Sequence, residues 1–252
     1  MAIILIPRPA LGVQVQPRRP RIFAGRGTRF YFPSTGAADV SPAFDAAYED
    51  TSIASRLKAV TTKIASAMTT VSFTDVSTAD NDILFRQYVS APLTAQTIGG
   101  QTLRVQLRVV ETLTTNNMFL SWGVRLVSND GGTVRGTLVA VHRDGTESDT
   151  TLTNRGDTAN ISSIDAVASD RLVFEIGLGG VPVAVHDCSI RIGDADATDL
   201  PEDDTTTADN NPWIEFQQTL TFQTGRTTKN TRAFPLGMFV GISRQMPIVF
   251  PQ

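Results

Sequence analysis

Apolar and polar side chains alternate along several stretches of the chain, with the period of two that is typical of a β-strand buried on one face. The clearest stretch runs from Leu103 to Val109, where every second residue is aliphatic and the residues between them are arginine or glutamine. The alternation recurs in residues 120–126, and a turn sequence then leads into residues 134–141. This spacing predicts that the last two stretches form a β-hairpin.

Further strands are predicted where short apolar runs stand between clusters of glycine, asparagine, aspartate and threonine, at residues 29–32, 172–178, 188–192 and 213–222. Residues 41–67 are the one plausible helical region, because Pro42 suits a first helical position. We expect a short helix there, followed by a strand over residues 56–64. About eight or nine strands without helical crossovers predict an all-β fold, an antiparallel β-sandwich or jelly roll with at most one short helix.

The two ends of the chain differ from its middle in charge and in amino-acid composition. Residues 1–27 contain four prolines, which exclude a helix or a central strand and favour an extended arm. Residues 28–222 hold 13 basic and 25 acidic residues, whereas the two ends hold only basic ones, namely Arg8, Arg18, Arg19, Arg21, Arg26, Arg226, Lys229, Arg232 and Arg244. We therefore predict a basic N-terminal arm (1–27), a β-sandwich body (28–222) and a basic, apolar C-terminal arm (223–252).

Opposite charges favour contact between an arm and the body of a neighbouring copy. We expect a homo-oligomer, with a trimer favoured, in which the nine basic arm residues make the contacts; the alternative is an arm that lies on its own body. Nucleic acid is not an expected partner, because the acidic body repels phosphate. A membrane is not expected either, because no stretch approaches the ~18 apolar residues that a span requires. The single cysteine, Cys188, excludes an internal disulfide.

The richest acidic segment spans residues 193–204 and allows two interpretations. In one, it is a solvated loop that receives arginines from the arm of a neighbour. In the other, its carboxylates bind calcium, although their spacing does not match an EF-hand loop. Apart from this calcium ion, the sequence indicates no cofactor. The carboxylates concerned are Asp194, Asp196, Asp199, Glu202, Asp203 and Asp204.

Candidates for catalysis are few. The most common general base is histidine, and only His142 and His186 are present. We place His142 at a strand end before a turn and His186 near the start of a strand, both in structural roles. Trp122 and Trp213 fall inside strand patterns and are assigned to the core. No nucleophile elbow, zinc helix or phosphate loop appears, so we predict no catalytic residue and no enzyme; an enzyme would need a cleft with paired carboxylates on facing strands.

Four segments of the body carry a further signal. They are residues 29–44 (RFYFPSTGAADVSPAF), 134–141 (VRGTLVAV), 171–177 (RLVFEIG) and 209–216 (DNNPWIEF). These segments resemble the jelly-roll virion structural proteins of tailed phages. The resemblance covers residues 28–222 and implies a location on the surface of a virion, in contact with the major capsid protein or other virion proteins. It carries no catalytic motif.

Together with the arms, this resemblance leads to the expectation of a capsid decoration (cement) protein that stabilises the shell through intersubunit arm contacts. The alternative is a tail fibre or baseplate component whose jelly roll binds carbohydrate on the host surface. The alternative predicts exposed aromatic side chains near the acidic segment.

Overall fold

A computed structural model of the chain describes residues 27–75, 79–181, 186–196 and 198–224. The predictions for residues 1–26 and 225–252, which make up almost all of both arms, lie outside these ranges. The described ranges contain thirteen β-strands and no helix, so no helix there is long and apolar enough to cross a membrane. The strands are β1 (Thr28–Tyr31), β2 (Ser55–Lys58), β3 (Thr69–Asp75), β4 (Asn81–Val89), β5 (Gln96–Ile98), β6 (Gln101–Glu111), β7 (Met118–Val127), β8 (Val134–Glu147), β9 (Thr153–Ile161), β10 (Ile164–Ala166), β11 (Arg171–Gly180), β12 (His186–Ile192) and β13 (Trp213–Phe216).

Two sheets carry most of these strands. The first sheet has the order β1-β13-β6-β12-β3, and β9 pairs with the free side of β6. The second sheet has the order β2-β4-β11-β7-β8, and strands β5 and β10 form a small separate sheet. The pairs are antiparallel except for β2 with β4, which is parallel. The all-β sandwich predicted from the sequence is confirmed, and so is the hairpin of β7 and β8.

The alternating stretches supply the core between the two sheets. Residues 103, 105, 107 and 109 of β6 and residues 120, 124 and 126 of β7 are completely buried. Burial of one such aliphatic side chain contributes roughly 1.5–3 kcal/mol. Trp122 and Trp213 each expose only 1% of their surface, so their assignment to the core is also confirmed.

The short helix expected within residues 41–67 does not form. Residues 41–54 make turns that cover the outer face of the second sheet, and their backbone groups bond to side chains of its strands. The N–H of Asp45 donates to Glu175 Oε1 at 2.9 Å, and the carbonyl of Ala43 accepts from Arg125 Nη2 at 2.7 Å. Backbone groups used in this way cannot join a helix. The following strand, β2, covers Ser55–Lys58 rather than residues 56–64.

Candidate acid–base site at the edge of the sandwich

Charged side chains occupy inward-facing positions where the edges of the two sheets meet. Strand β8 is an edge of the second sheet, β9 is an edge of the first, and the two strands contact each other. His142 and Asp144 are alternate residues of β8, and Arg155 and Asp157 are alternate residues of β9. His142, Arg155 and Asp157 each pair across the strands with a core residue, so they face inward. We call this line of contact between β8 and β9 the seam.

Asp157 joins three strands at the seam. Its Oδ2 accepts hydrogen bonds from Trp122 Nε1 at 2.6 Å and from His142 Nε2 at 2.9 Å. Burial acts to raise the pKa of Asp157, but these hydrogen bonds outweigh it and the pKa is lowered. The hydrogen bond to Asp157 raises the pKa of His142 despite its partial burial. Below the raised pKa of His142, the pair is an imidazolium bonded to a carboxylate.

His142 has no nitrogen left for catalysis. Its Nδ1 lies 3.2 Å from the carbonyl oxygen of Ala140, so both ring nitrogens face acceptors. A general base needs a free nitrogen within reach of a nucleophile. His142 lies inside β8, which continues to Glu147, so its predicted place at a strand end before a turn was wrong. His186 is the first residue of β12, as expected.

A pair of glutamates lies at one end of the seam. Glu111 ends β6 and Glu147 ends β8, so the two carboxyl groups come from opposite sheets. Glu111 is 1% exposed, and its Oε2 accepts from the backbone N–H of Met118 at 3.0 Å. Burial raises the pKa of Glu111 to about 7; the Met118 N–H opposes this rise, whereas the charge of Glu147 and a hydrogen bond to it add to it. Glu111 therefore holds its proton up to about neutral pH, beside the carboxyl group of Glu147.

The two glutamates line a pocket of about 230 Å³. Arg155 closes one side of this pocket, and its Nη2 donates to the backbone carbonyl of Glu147 at 2.5 Å. Ser148 Oγ and Arg155 Nε are buried without a hydrogen-bond partner among the described residues. Such atoms are uncommon, and two of them at one pocket indicate that the pocket suits a polar molecule. The other lining residues are Thr114, Asp149 and Thr150.

Asp144 adds a second protonated carboxyl group along the seam. It is 8% exposed, and burial raises its pKa to about 7. The charge of Arg155 opposes this rise, and the charge of Asp157 adds to it. The seam therefore contains proton donors and acceptors that titrate around neutral pH, where acid–base catalysis needs them.

The acidic segment lies on the outer side of the first sheet and bonds to the body itself. Asp199 accepts from Arg29 Nη1 at 2.8 Å, and Glu202 pairs with Arg104. Asp203 accepts from Thr206 Oγ1 at 2.7 Å. Asp204 accepts from the N–H of Gly156, Asp194 is buried, and Asp196 is exposed. The arm residues Arg8, Arg18, Arg19, Arg21, Arg26, Arg226, Lys229, Arg232 and Arg244 lie outside the described ranges, so their contacts remain a prediction.

The described residues of the acidic segment form no fitting site for calcium or for carbohydrate. Among the described residues, no group of three His, Cys, Asp or Glu side chains is arranged to hold a metal ion. A polar trough of about 490 Å³ beside the segment has no aromatic lining residue. Trp122 and Trp213 are buried, and the indole N–H of Trp213 donates to the carbonyl of Leu200 at 2.7 Å. A sugar-binding face would need exposed aromatic rings, and these two indoles do not provide it.

Comparison with known proteins finds similarity among solved structures only. No family model and no curated protein sequence matches the chain. Among solved structures, it is similar to a CocE/NonD family hydrolase from Staphylococcus aureus (12% identity, 77% of this chain and 36% of that chain, TM-score 0.34). It is also similar to an α-amino acid ester hydrolase (9% identity, 78% and 36%, TM-score 0.38). A third likeness is to the VP2 subviral particle of infectious bursal disease virus (11% identity, 73% and 43%, TM-score 0.22).

These findings correct two predictions. Two of these matched structures are hydrolases, whereas no enzyme was expected from the sequence. The predictions of a phage capsid decoration protein, with a carbohydrate-binding fibre as alternative, and of a protein that is not an enzyme are therefore contradicted. The chain spans about a third of the length of these hydrolases, at 36% of each. With every TM-score below 0.4, the likenesses themselves say nothing about the reaction.

Proposed function

We propose that the body is a hydrolytic domain in which Glu111 and Glu147 form the acid–base pair. The observation that carries this proposal is that Glu111 and Glu147, from opposite sheets, line one polar pocket. Burial raises the pKa of Glu111 to about 7, which suits it to the role of acid. Two carboxyl groups that share one proton divide the roles of acid and base at a single pH. This is the arrangement of facing carboxylates that an enzyme on this fold requires.

The two glutamates have different roles in the proposed reaction. The Glu147 carboxylate accepts a proton from a water molecule as the water attacks the substrate, and Glu111 donates its proton to the leaving group. Afterwards, the proton on Glu147 returns to Glu111, because the two carboxyl groups line the same pocket. The pair is then ready for the next substrate.

Arg155 and Ser148 position the substrate. The guanidinium of Arg155 lines the pocket, and its Nε has no hydrogen-bond partner in the described part of the chain. It can bond to an oxygen that becomes negative during the reaction. The hydroxyl of Ser148, also without a partner among the described residues, can orient a polar group of the substrate. A pocket of about 230 Å³ favours a small polar substrate.

The test is hydrolysis of small chromogenic esters, amides and glycosides by the full chain between pH 4 and pH 9. Glu111→Gln keeps an oxygen for the Met118 N–H but has no proton to donate. We expect it and Glu147→Gln to lower kcat/KM by about 100-fold or more, the usual contribution of a positioned acid or base. Activity of the unchanged chain should fall as pH rises through about 7, because Glu111 then loses its proton.

Glu202→Gln is the matched control, because Glu202 is an exposed carboxylate outside the pocket, paired with Arg104. It should leave kcat/KM within about twofold of the unchanged chain, as expected for a surface substitution. Absence of hydrolysis of every substrate class would contradict the proposal. Equal activity of Glu111→Gln and Glu202→Gln would also contradict it.

The partner and location predictions also remain proposals. They are a homo-oligomer with a trimer favoured, contact with the major capsid protein or other virion proteins, and a place in a virion. The charge difference between the basic ends and the acidic body supports self-association. Light scattering should give the mass of a trimer for the full chain, and a lower mass after deletion of residues 1–27 or in high salt. A monomeric mass for the full chain in low salt would contradict self-association.

A further inference from the structure

An apolar groove of about 440 Å³ lies on the body away from the glutamate pair. Its walls include Phe30, Val60, Val89 and Phe222, and Ile64 stands at its mouth. Ile64 exposes 45% of its surface, an unusual exposure for isoleucine next to other apolar side chains. Lys58 and Asp39 form an ion pair of 2.7 Å at the rim, so the rim charges are already matched.

The groove and the glutamate pair occupy opposite ends of the sandwich. Val89 ends β4 and pairs with Val173 near the start of β11. The last residue of β11, Gly180, pairs with Met118, whose N–H bonds to Glu111. A ligand in the groove is therefore separated from the carboxyl pocket by the length of the strands.

The described part of the chain ends beside this groove. Phe222 forms part of its wall, and its ring meets the ring of Phe30 edge-on, with 5.9 Å between centroids. The N–H of Gln223 donates to the carbonyl of Pro92 at 2.8 Å, which fixes the direction of the chain just after the groove. Residues 225–252 therefore start within a few residues of its rim.

The segment that follows has the composition of a groove ligand. Between residues 234 and 250 it has no acidic residue and one basic residue, Arg244. Burial stabilises apolar surface by about 25 cal/mol per Å², so these side chains need an apolar partner. A short connection also gives the segment an effective concentration of order millimolar at the groove, which favours its own chain over a second copy. The apolar side chains are Phe234, Leu236, Met238, Phe239, Val240, Ile242, Met246, Ile248, Val249 and Phe250.

We propose that this groove is the docking site for the apolar part of the C-terminal segment, residues 234–250, of the same chain. Large apolar side chains of the segment fill the space between Ile64 and Phe222. Docking covers the exposed side of Ile64 and buries the apolar face of the segment. The driving force is hydrophobic, because the rim charges already pair with each other.

A photo-crosslinking residue at position 64 tests the docking directly. The full chain with benzoylphenylalanine in place of Ile64 is prepared in light and heavy isotope forms, mixed in equal amounts and irradiated. We expect crosslinks from position 64 to residues 225–252 that join light to light and heavy to heavy chains only. The control replaces Leu113, which is 54% exposed near Glu111 at the other end of the sandwich, and should give no such crosslink.

Each other outcome overturns the proposal. Mixed light–heavy crosslinks would place the segment of a second copy in the groove. Crosslinks to residues 1–26 would place the other end of the chain there. Absence of crosslinks to residues 225–252, or equal yields from positions 64 and 113, would show that the segment does not dock at the groove.

A protease measurement provides a second test with a simple substitution. Trypsin cleaves after Arg232 and Arg244, which flank or lie within the docked segment. In the full chain, Ile64→Asp should speed cleavage at both sites by about tenfold, equal to about 1.4 kcal/mol of docking free energy. Leu113→Asp should leave the rates unchanged. Equal cleavage rates for Ile64→Asp and the unchanged chain would contradict docking.

Discussion

The centre of the sandwich and its seam follow the same strand geometry but hold opposite kinds of side chain. In the centre, the inward positions of β6 and β7 are almost all aliphatic and completely buried. At the seam, the inward positions of β8 and β9 include His142, Asp144, Arg155 and Asp157. Inward charges on edge strands hinder pairing with strands of other molecules. Among them, Asp144 titrates around neutral pH, as does Glu111 at the end of the seam.

Glu111 stands where the two regions meet. It occupies the next alternate position of β6 after the buried residues 103–109, so it continues the core row with a carboxyl group. The centre stabilises the fold by burial that does not depend on pH. The contribution of the seam to stability depends on pH, because its hydrogen-bonded pairs form and break as their side chains gain and lose protons. Substitutions in the two regions should therefore change the free energy of unfolding by different amounts and with different pH dependence.

The largest loss of stability is expected from the centre. Leu107→Ala removes a completely buried side chain of β6 and should lower the free energy of unfolding by about 2–5 kcal/mol. Urea denaturation at pH 5 and at pH 8 should give the same loss, because no titrating group is removed. Leu113→Ala, at an exposed site, should change the value by less than about 0.5 kcal/mol. A loss below about 1 kcal/mol for Leu107→Ala would contradict this description of the centre.

The second prediction concerns Glu111, whose substitution should raise the free energy of unfolding at pH 8 rather than lower it. Its folded pKa of about 7 exceeds the ordinary value of 4.5, so the folded state holds the proton more tightly than the unfolded chain. The free energy of unfolding falls as pH rises from about 4.5 through about 7, by about 3 kcal/mol in all for 2.5 pKa units at about 1.36 kcal/mol each. Glu111→Gln has no proton to lose, so at pH 8 it should be more stable than the unchanged chain and at pH 4 about equal to it. A Glu111→Gln variant that is less stable at pH 8 would contradict a raised pKa.

The third prediction compares the loss of stability from a substitution at the seam with that from a substitution at the exposed surface. Asp157→Asn weakens the hydrogen bonds from Trp122 and His142, which the carboxylate accepts as a charged group. We expect the free energy of unfolding to fall by about 1.5–3 kcal/mol at pH 6. Asp165→Asn, on the exposed side of β10, should cost less than about 0.5 kcal/mol. Equal losses for the two variants in urea denaturation would mean that the seam contributes no more than a surface contact.

The smallest effect comes from His142, which is about one-third exposed. Its folded pKa lies above its ordinary value of 6.5, so the protonated pair with Asp157 stabilises the fold fully below pH 6.5. This contribution is lost as pH rises through the folded pKa of His142. His142→Gln should cost about 0.5–1 kcal/mol at pH 5 and less at pH 9. A loss that is larger at pH 9 than at pH 5 would reverse the assigned protonation state.

The strands that could be predicted from the sequence are those with one apolar face, such as β6 and β7. Strand β4 was missed because residues 41–54 cover its outer face, so both faces are largely buried and the alternation is lost. Strand β9 was missed because charged side chains occupy two of its inward positions. The helix expected near Pro42 failed because side chains of the second sheet bind the backbone there. Tertiary contacts override local preference in each case.

Of the two glutamates in the candidate site, only Glu111 could be recognised from the sequence pattern. Glu111 interrupts an aliphatic alternation at a position where burial is expected, and a buried carboxyl group is a reason to expect a raised pKa. Its partner Glu147 had no such signal, since the surrounding residues resemble a turn and the pairing depends on how the two sheets meet. The pairing of groups from facing sheets is a property of the fold.

The most direct test is an NMR titration of the Glu111 carboxyl carbon in the full chain. With the carboxylate of Glu147 beside a buried Glu111, the midpoint should lie at about pH 7. In Glu147→Gln the midpoint should move down, because the neighbouring charge is gone, yet stay above 4.5, because Glu111 is still buried. A midpoint near 4.5 in the unchanged chain would contradict the acid–base site.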